Sequence, residues 1–323
     1  MTKRDLVNPR TNRLVAGVTE ADVLDAVGKS GYPLQNVVSD YLQTATFRTV
    51  EEWSYLDKES GQLRTIDVKA EKPLFEYGKG DIRVRPSLVL LIECKQSQMP
   101  YVFFLSRYPI RRVSHFPVFA GLLGEEIAIK TDSDRSTYNV GILGALDLQS
   151  RPFLIEDPEF CSSFAKCARK GKELELSGSD PFLNLVSPLV KALQHFHTAV
   201  KPPNTAEYFN LYLALAVAVI DGPMTGVRVQ EGSNKLGFFP WVRTVRHEYF
   251  ESDHWMERGR AFAVDIVHKD FLQTHVQNHV LPFAAEFSGL AIKHDKVLAT
   301  GKAFVSGMNE KPYIELEKRL KPR

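Results

Sequence analysis

The sequence predicts one mixed α/β domain, and three observations predict it. A stretch with the apolar spacing of a helix (Leu34, Val37, Val38, Tyr41, Leu42) is followed by two strand-like runs around a polar turn. Residues 87–95 (SLVLLIECK) and 211–220 (LYLALAVAVI) then form two nearly continuous apolar runs, as expected of strands covered on both faces. A helical pattern within 181–200 lies between those runs, so the expected order is helix, three strands, helix, strand.

Composition is compatible with such a domain. The chain has 323 residues, 44% of them hydrophobic and 25% charged, which is ordinary globular content rather than disorder. Lys and Arg number 41 against 39 acids, a net charge of +2, so an argument for an anionic partner must rest on local clusters. Cys94, Cys161 and Cys167 show no CxxC spacing; neither a disulfide framework nor a zinc ribbon is expected, and a reducing compartment, the cytoplasm, fits. The start, MTKRDLVNPRTNR, has no apolar core of a secretory signal. The run 211–220 is about half the length of a membrane helix, so no membrane association is expected.

Taken in order, residues 1–18 read as a polar N-terminal extension. Thr19 with Asp22 predicts an N-cap and an acidic first turn, opening a short helix that ends near Gly28. Gly31, Tyr32 and Pro33 break the chain before the second helix. Strands follow at 47–55 and 62–70, joined by the turn DKESG at 57–61. The charged stretch 71–85 reads as an exposed excursion before the strand at 87–95. After an apolar run at 101–105, the stretch 106–180 reads as a large insertion without clear periodicity. Leu185, Leu189, Leu193 and Phe196 line one side of the next helix, with Pro188 either kinking it or marking its first turn. Asp221-Gly222-Pro223 ends the following strand; 261–267 reads as a further strand and 271–287 as a helix. The expected organisation is a single elaborated domain over 19–309, with core motif 31–95, insertion 106–180, core completion 181–220, and a basic C-terminal tail at 310–323.

Three charged residues interrupt the apolar strands. With side chains alternating faces, Glu93 and Lys95 share one face while Leu90, Ile92 and Cys94 share the other. Asp67 stands between Ile66 and Val68 on the preceding strand. Burying such charges without partners costs several kcal/mol per ion. If the strands are neighbours, two carboxylates and an ammonium converge at one end of a sheet. Mg²⁺ takes hard oxygen ligands of this kind, with Mn²⁺ as a substitute. It would lower the pKa of a bound water and polarise a phosphoryl oxygen, while Lys95 orients that water or stabilises phosphate charge. The Cys94 carbonyl is a further candidate ligand.

The segment GYPLQNVVSDYL…FRTVEEWSYLDKESGQLRTIDVKA…SLVLLIECK resembles the core of the PD-(D/E)xK, restriction-endonuclease-like nuclease superfamily. The resemblance implies an αβββαβ core, a mixed central sheet flanked by helices, with an insertion and C-terminal additions. It also implies Asp67 and Glu93 as metal ligands, Lys95 as the catalytic lysine, and an endonuclease-like phosphodiesterase acting on nucleic acid, with DNA favoured and RNA left open by the same chemistry. It covers residues 31–95 by motif and the rest by element order. Two departures stand out: Ile66 replaces the proline before Asp67, and Gln35 stands where relatives often carry a first-helix glutamate. A catalytically weak fold retained to bind nucleic acid or a protein is the alternative. Duplex cutting would imply a homodimer.

Other residues carry weaker signals. Gln35 and Lys69 are accessory candidates, the latter either contacting phosphate or solvated. Gln96 is expected on the opposite face from Lys95. Lys191 and Gln194 are either near the site or at the surface. The clusters Arg107, Arg111, Arg112 (with Tyr108 for stacking) and Lys166, Arg169, Lys170, Lys172 are candidate nucleic-acid contacts. His195 and His197 are two apart on a helix and make a poor ligand pair. His275 and His279 have ligand spacing but lack the HExxH glutamate. No GxxxxGK[ST], GxGxxG or GxSxG occurs, so an NTPase motor, a Rossmann enzyme or a GxSxG hydrolase is not supported.

Overall fold

The computed structural model describes residues 8–76, 82–107, 116–132, 137–230, 233–248 and 260–306, and 315–323. Helix α1 (Glu20–Lys29) opens as expected: the Thr19 side chain accepts from the Asp22 N–H while Asp22 answers to the Thr19 backbone, a complete capping box. Helix α2 (Tyr32–Thr44) has Pro33 in its first turn and buries Leu34, Gln35, Val38, Ser39 and Leu42. Val37, expected in the apolar stripe, is 65% exposed. The buried face is rotated towards Gln35 and Ser39 because both find partners: Ser39 Oγ bonds Thr49 Oγ1 at 3.1 Å.

Strands β1 (Arg48–Asp57) and β2 (Gln62–Pro73) form the expected hairpin, in register from Asp57 opposite Gln62. Its turn is tied down by Asp57, which accepts from the Glu59 N–H and the Ser60 hydroxyl. Strand β3 (Val84–Gln96) pairs antiparallel with β2 and parallel with β10 (Phe209–Asp221). On β3 the even residues Leu88, Leu90, Ile92 and Cys94 join one core and the odd residues Val89 and Leu91 the other. The first core is closed by α2, the second by helix α3 (Ser187–Ala199) through Leu189, Leu193 and Phe196. Each such buried aliphatic side chain is worth roughly 1.5–3 kcal/mol, which explains why both long runs are apolar throughout. Pro188 lies in the first turn of α3, preceded by a wide turn at Phe182–Val186.

The remaining strands extend this sheet. Among the described residues it has 12 strands. Beyond β10 it continues through β14 (Arg260–His268), β13 (Trp241–Glu248), β8 (Glu159–Lys170), β4 (Tyr101–Leu105), β11 (Met224–Gln230) and β12 (Ser233–Phe238). Strand β5 (Val118–Ala120) pairs with β10, and β9 (Glu173–Ser177) with β8. Much of the stretch read as an insertion is therefore sheet. A second, four-stranded sheet joins β6 (Glu126–Thr131), β7 (Thr137–Gly141), β15 (Lys302–Val305) and β16 (Lys321–Pro322). The stretch expected as a basic tail is docked from Glu315 onward: Leu316, Glu317 and Leu320 are buried, and Glu317 bonds His294 at 2.6 Å. The 271–287 helix is divided, with a wide turn at His275–Val280 before α4 (Leu281–Lys293), because Pro282 has no N–H to continue the ladder. Among the described residues no helix is long and apolar enough to cross a membrane.

Candidate active site

Asp67, Glu93 and Lys95 meet at one end of the β2–β3 pair. The antiparallel ladder stops at Val68 opposite Ile92, so continuing that register puts Asp67 beside Glu93. Pleating fails there. Val68 belongs to the core under α2, whereas Ile66, two residues earlier, belongs to the core under α3; residues two apart on a regular strand share a face. Glu52, opposite Asp67 in the β1–β2 register, has φ 51°, and the two facing residues carry the break together.

The break turns Asp67 towards β3. Its Oδ2 accepts the Cys94 N–H at 2.6 Å, taking the ladder bond that Ile66 would otherwise make. The N–H and C=O of one strand residue point to the same neighbour, so the Cys94 carbonyl also faces the gap past the last paired residues. From the other side, the Gln35 amide donates to the Asp67 carbonyl at 3.1 Å. Gln35 is 4% exposed: it braces the backbone of Asp67 from α2.

Glu93 is 7% exposed. Its Oε1 accepts from Lys95 Nζ at 2.5 Å, and its Oε2 is buried with no hydrogen-bond partner among the described residues. Burial, then the Asp67 carboxylate, push the Glu93 carboxyl up to about 7, against the pull of Lys95. Burial also raises Asp67, opposed by the Cys94 N–H and by Lys95. For Lys95, burial works downward, but the Glu93 charge and hydrogen bond, with Asp67, outweigh it and hold the amine protonated.

An orphaned carboxylate oxygen beside a second carboxylate, with the Cys94 carbonyl on the same edge, is a set of hard oxygen donors that fits a small divalent cation. Among the described residues, no three His, Cys, Asp or Glu side chains are gathered closely enough to hold an ion by themselves. Mg²⁺ binds through one or two carboxylates and keeps several waters, so two carboxylates are sufficient for it.

The other sequence candidates are scattered. Lys69 lies on the α3 side, over the Phe196 and Trp53 rings (5.2 and 5.7 Å to their centroids) and 3.6 Å from Glu71. The broken pleat accounts for this, since Asp67 and Lys69 no longer project alike. Gln96, with its amide nitrogen turned inward, bonds the Gly28 and Ser30 carbonyls at 3.2 Å, tying β3 to the end of α1. Lys191 clamps the hairpin turn through Asp57 and Glu59 at 3.1 and 2.9 Å. Lys166, Arg169 and Lys170 line β8 and Lys172 lies at the β8–β9 turn; Lys166 sits over the Tyr101 ring and Lys170 pairs with Glu175. Their strand runs past the loop that follows β3, where the Cys167 N–H bonds the Pro100 carbonyl at 2.8 Å. Arg107 is exposed; Tyr108, Arg111 and Arg112 lie outside the described residues.

The histidines form no centre. His195 faces Trp53 (5.8 Å between rings) and His197 pairs with Glu125 at 3.1 Å. His279 bonds Asp157 at 2.8 Å, while His275 is fully buried and held near 4 by that burial. Glu52 escaped the sequence reading. In TVEEW it looks like one of two solvated acids, and only the register places it opposite Asp67. No protein-family model, curated protein or solved structure matches the chain.

Proposed function

We propose that the chain is a Mg²⁺-dependent phosphodiesterase that hydrolyses nucleic acid, DNA in preference to RNA, at Asp67, Glu93 and Lys95. The observation that carries this reading is the buried, unpartnered Glu93 Oε2, adjacent in register to Asp67. The order α2, β1, β2, β3, α3, β10, with β2 antiparallel and β10 parallel to β3, supports the restriction-endonuclease-like core and so the resemblance to PD-(D/E)xK nucleases.

Asp67, Glu93 and the Cys94 carbonyl would hold the ion, which supplies Lewis-acid charge and a more acidic water. The chain's own groups do the rest. The Cys94 N–H fixes the Asp67 carboxylate, and Gln35 fixes the backbone behind it. Lys95, held by Glu93, presents protons to a phosphate oxygen or to the attacking water. The β8 basic residues are the proposed path for the phosphate backbone, a contribution that falls with salt. A homodimer is the expected form for duplex cutting. Three buried free cysteines suit a reducing compartment such as the cytoplasm.

The test is a cleavage panel of single- and double-stranded DNA and RNA, with Mg²⁺, Mn²⁺ or chelator. Asp67→Ala, Glu93→Ala and Lys95→Ala are each expected to abolish metal-dependent cleavage in folded protein; full activity in all three rejects the assignment. A second reading, a binding module without catalysis, is favoured by Gln35, which puts a neutral amide against Asp67. Calorimetric titration with Mn²⁺ separates the two, since a binding module has no need of the cation.

A further inference from the structure

Three acidic residues lie in one row across adjacent strands. Carried through the gap between the Glu51–Val68 and Trp53–Ile66 pairs, the β1–β2 register sets Glu52 opposite Asp67, and carried one step past Val68–Ile92, the β2–β3 register sets Asp67 opposite Glu93. The next residue of that row, Ala218 on β10, is apolar, so the acids occupy the β1 side alone. Asp67 and Glu93 stand among apolar strand residues, and the β1–β2 pairing is interrupted at Glu52 and Asp67.

Glu52 is exposed and, among the described residues, makes no hydrogen bond or ion pair. Its backbone, at φ 51°, occupies the left-handed region, which a non-glycine residue adopts at some cost. Glycine or asparagine would be the ordinary choice for such a site. Burial is the main cause that raises the Asp67 and Glu93 carboxyls, and the Glu52 charge adds a smaller push in the same direction. The conformation and the field are local matters; the oxygen that asks for a ligand is Glu93 Oε2, buried and unpartnered two strands away. The three carboxylates are not gathered closely enough to hold an ion as they stand; with three rotatable side-chain bonds and no partner to give up, Glu52 would close the site by turning towards a cation that Asp67 and Glu93 hold.

We propose that Glu52 is a third carboxylate of the cation site, closing from β1 the donor set that Asp67 and Glu93 begin. The proposal rests on the functional reading above and concerns one residue that reading does not use. Gln35, bound through its amide to the Asp67 carbonyl, has its nitrogen engaged there and adds no charge. Glu52 supplies the extra anionic oxygen from the opposite flank, from a side chain that reaches the ion directly or through one of its waters.

The experiment is calorimetric titration of the full chain with Mn²⁺, run on wild type, Glu52→Gln, Glu52→Gly and Asp67→Asn, each with a melting curve. Glu52→Gln keeps the shape and removes the charge; Glu52→Gly also relieves the backbone, so a loss common to both belongs to the carboxylate. The expected result is Mn²⁺ affinity lowered on the order of tenfold in both Glu52 variants, with melting temperature unchanged in the first and unchanged or raised in the second. Wild-type affinity in both, alongside loss in Asp67→Asn, overturns the role of Glu52 and leaves the functional reading standing. Wild-type affinity in all three variants, or no Mn²⁺ binding by the wild type, overturns both.

Discussion

The Asp67 carboxylate accepts the backbone N–H of Cys94 at 2.6 Å, so the acid on β2 is fastened to the same strand that presents Glu93 and Lys95. A side chain has replaced a ladder bond, and Asp67 is anchored to the strand that carries Glu93 and Lys95.

That fastening has a measurable cost of removal. Asp67→Ala leaves a buried N–H without its acceptor, an expense of about 1–3 kcal/mol. Asp67→Asn keeps an oxygen there and is expected to lower stability less, while losing cation binding. Urea unfolding checks the first and calorimetry the second. Equal stability of Asp67→Ala and wild type would show that the bond contributes nothing.

Glu93 makes stability depend on pH. Its carboxyl rises from an ordinary 4.5 to about 7, so the folded state resists ionisation that the unfolded chain accepts. An acid raised in this way leaves stability intact below about 4.5 and erodes it as pH climbs towards 7. At about 1.4 kcal/mol per pH unit, the full effect is on the order of 3 kcal/mol. In metal-free protein, the melting temperature of wild type relative to Glu93→Gln is expected to fall between pH 5 and 7.5, and Mg²⁺ to reverse that fall. A pH-independent difference would show that Glu93 ionises freely.

Under the proposed function, Lys95 is the residue expected to separate binding from chemistry. Its ammonium is bonded to Glu93 Oε1 and competes with a cation for that carboxylate. Lys95→Met is expected to keep or raise Mn²⁺ affinity while losing cleavage by about 100-fold or more. Loss of both together would make the lysine a structural partner of Glu93 only.

Arg243 and Asp265 form a bidentate pair at 2.6 and 2.9 Å with neither residue exposed, and Arg243 Nη1 also bonds the Phe153 carbonyl at 2.7 Å. Arg243→Met strands a buried carboxylate and is expected to destabilise by about 3–5 kcal/mol. The double variant Arg243→Met/Asp265→Leu should recover much of that loss. Denaturant midpoints for the single and double variants give the comparison, and no recovery would locate the cost in packing against Phe116 and Phe153 instead.

Local patterns revealed much of this. The capping box at Thr19, the hairpin at 57–61, and the two-faced strands β3 and β10 each follow from short-range spacing, and they deliver Asp67, Glu93 and Lys95 to one place. What the sequence hides is register. Glu52 looks solvated until β1 is aligned with β2, and Lys69 looks like a neighbour of Asp67 until the pleat breaks between Ile66 and Val68. The sheet beyond β14 was likewise hidden, because β8, β4 and β11 find their neighbours through long-range pairing. Half-polar strands such as β8 (EFCSSFAKCARK) carry little periodicity of their own.

Because β3 is greasy on both sides up to Ile92, either orientation of that strand could be accommodated by the layers around it. Inserting one residue just ahead of Glu93 would invert the last two charged positions without exposing the long hydrophobic stretch behind them. The acid would then fall on the face where Cys94 now packs against the core under α2, and the cost of burying it there ties the orientation of the acid and the lysine to folding as well as to the site.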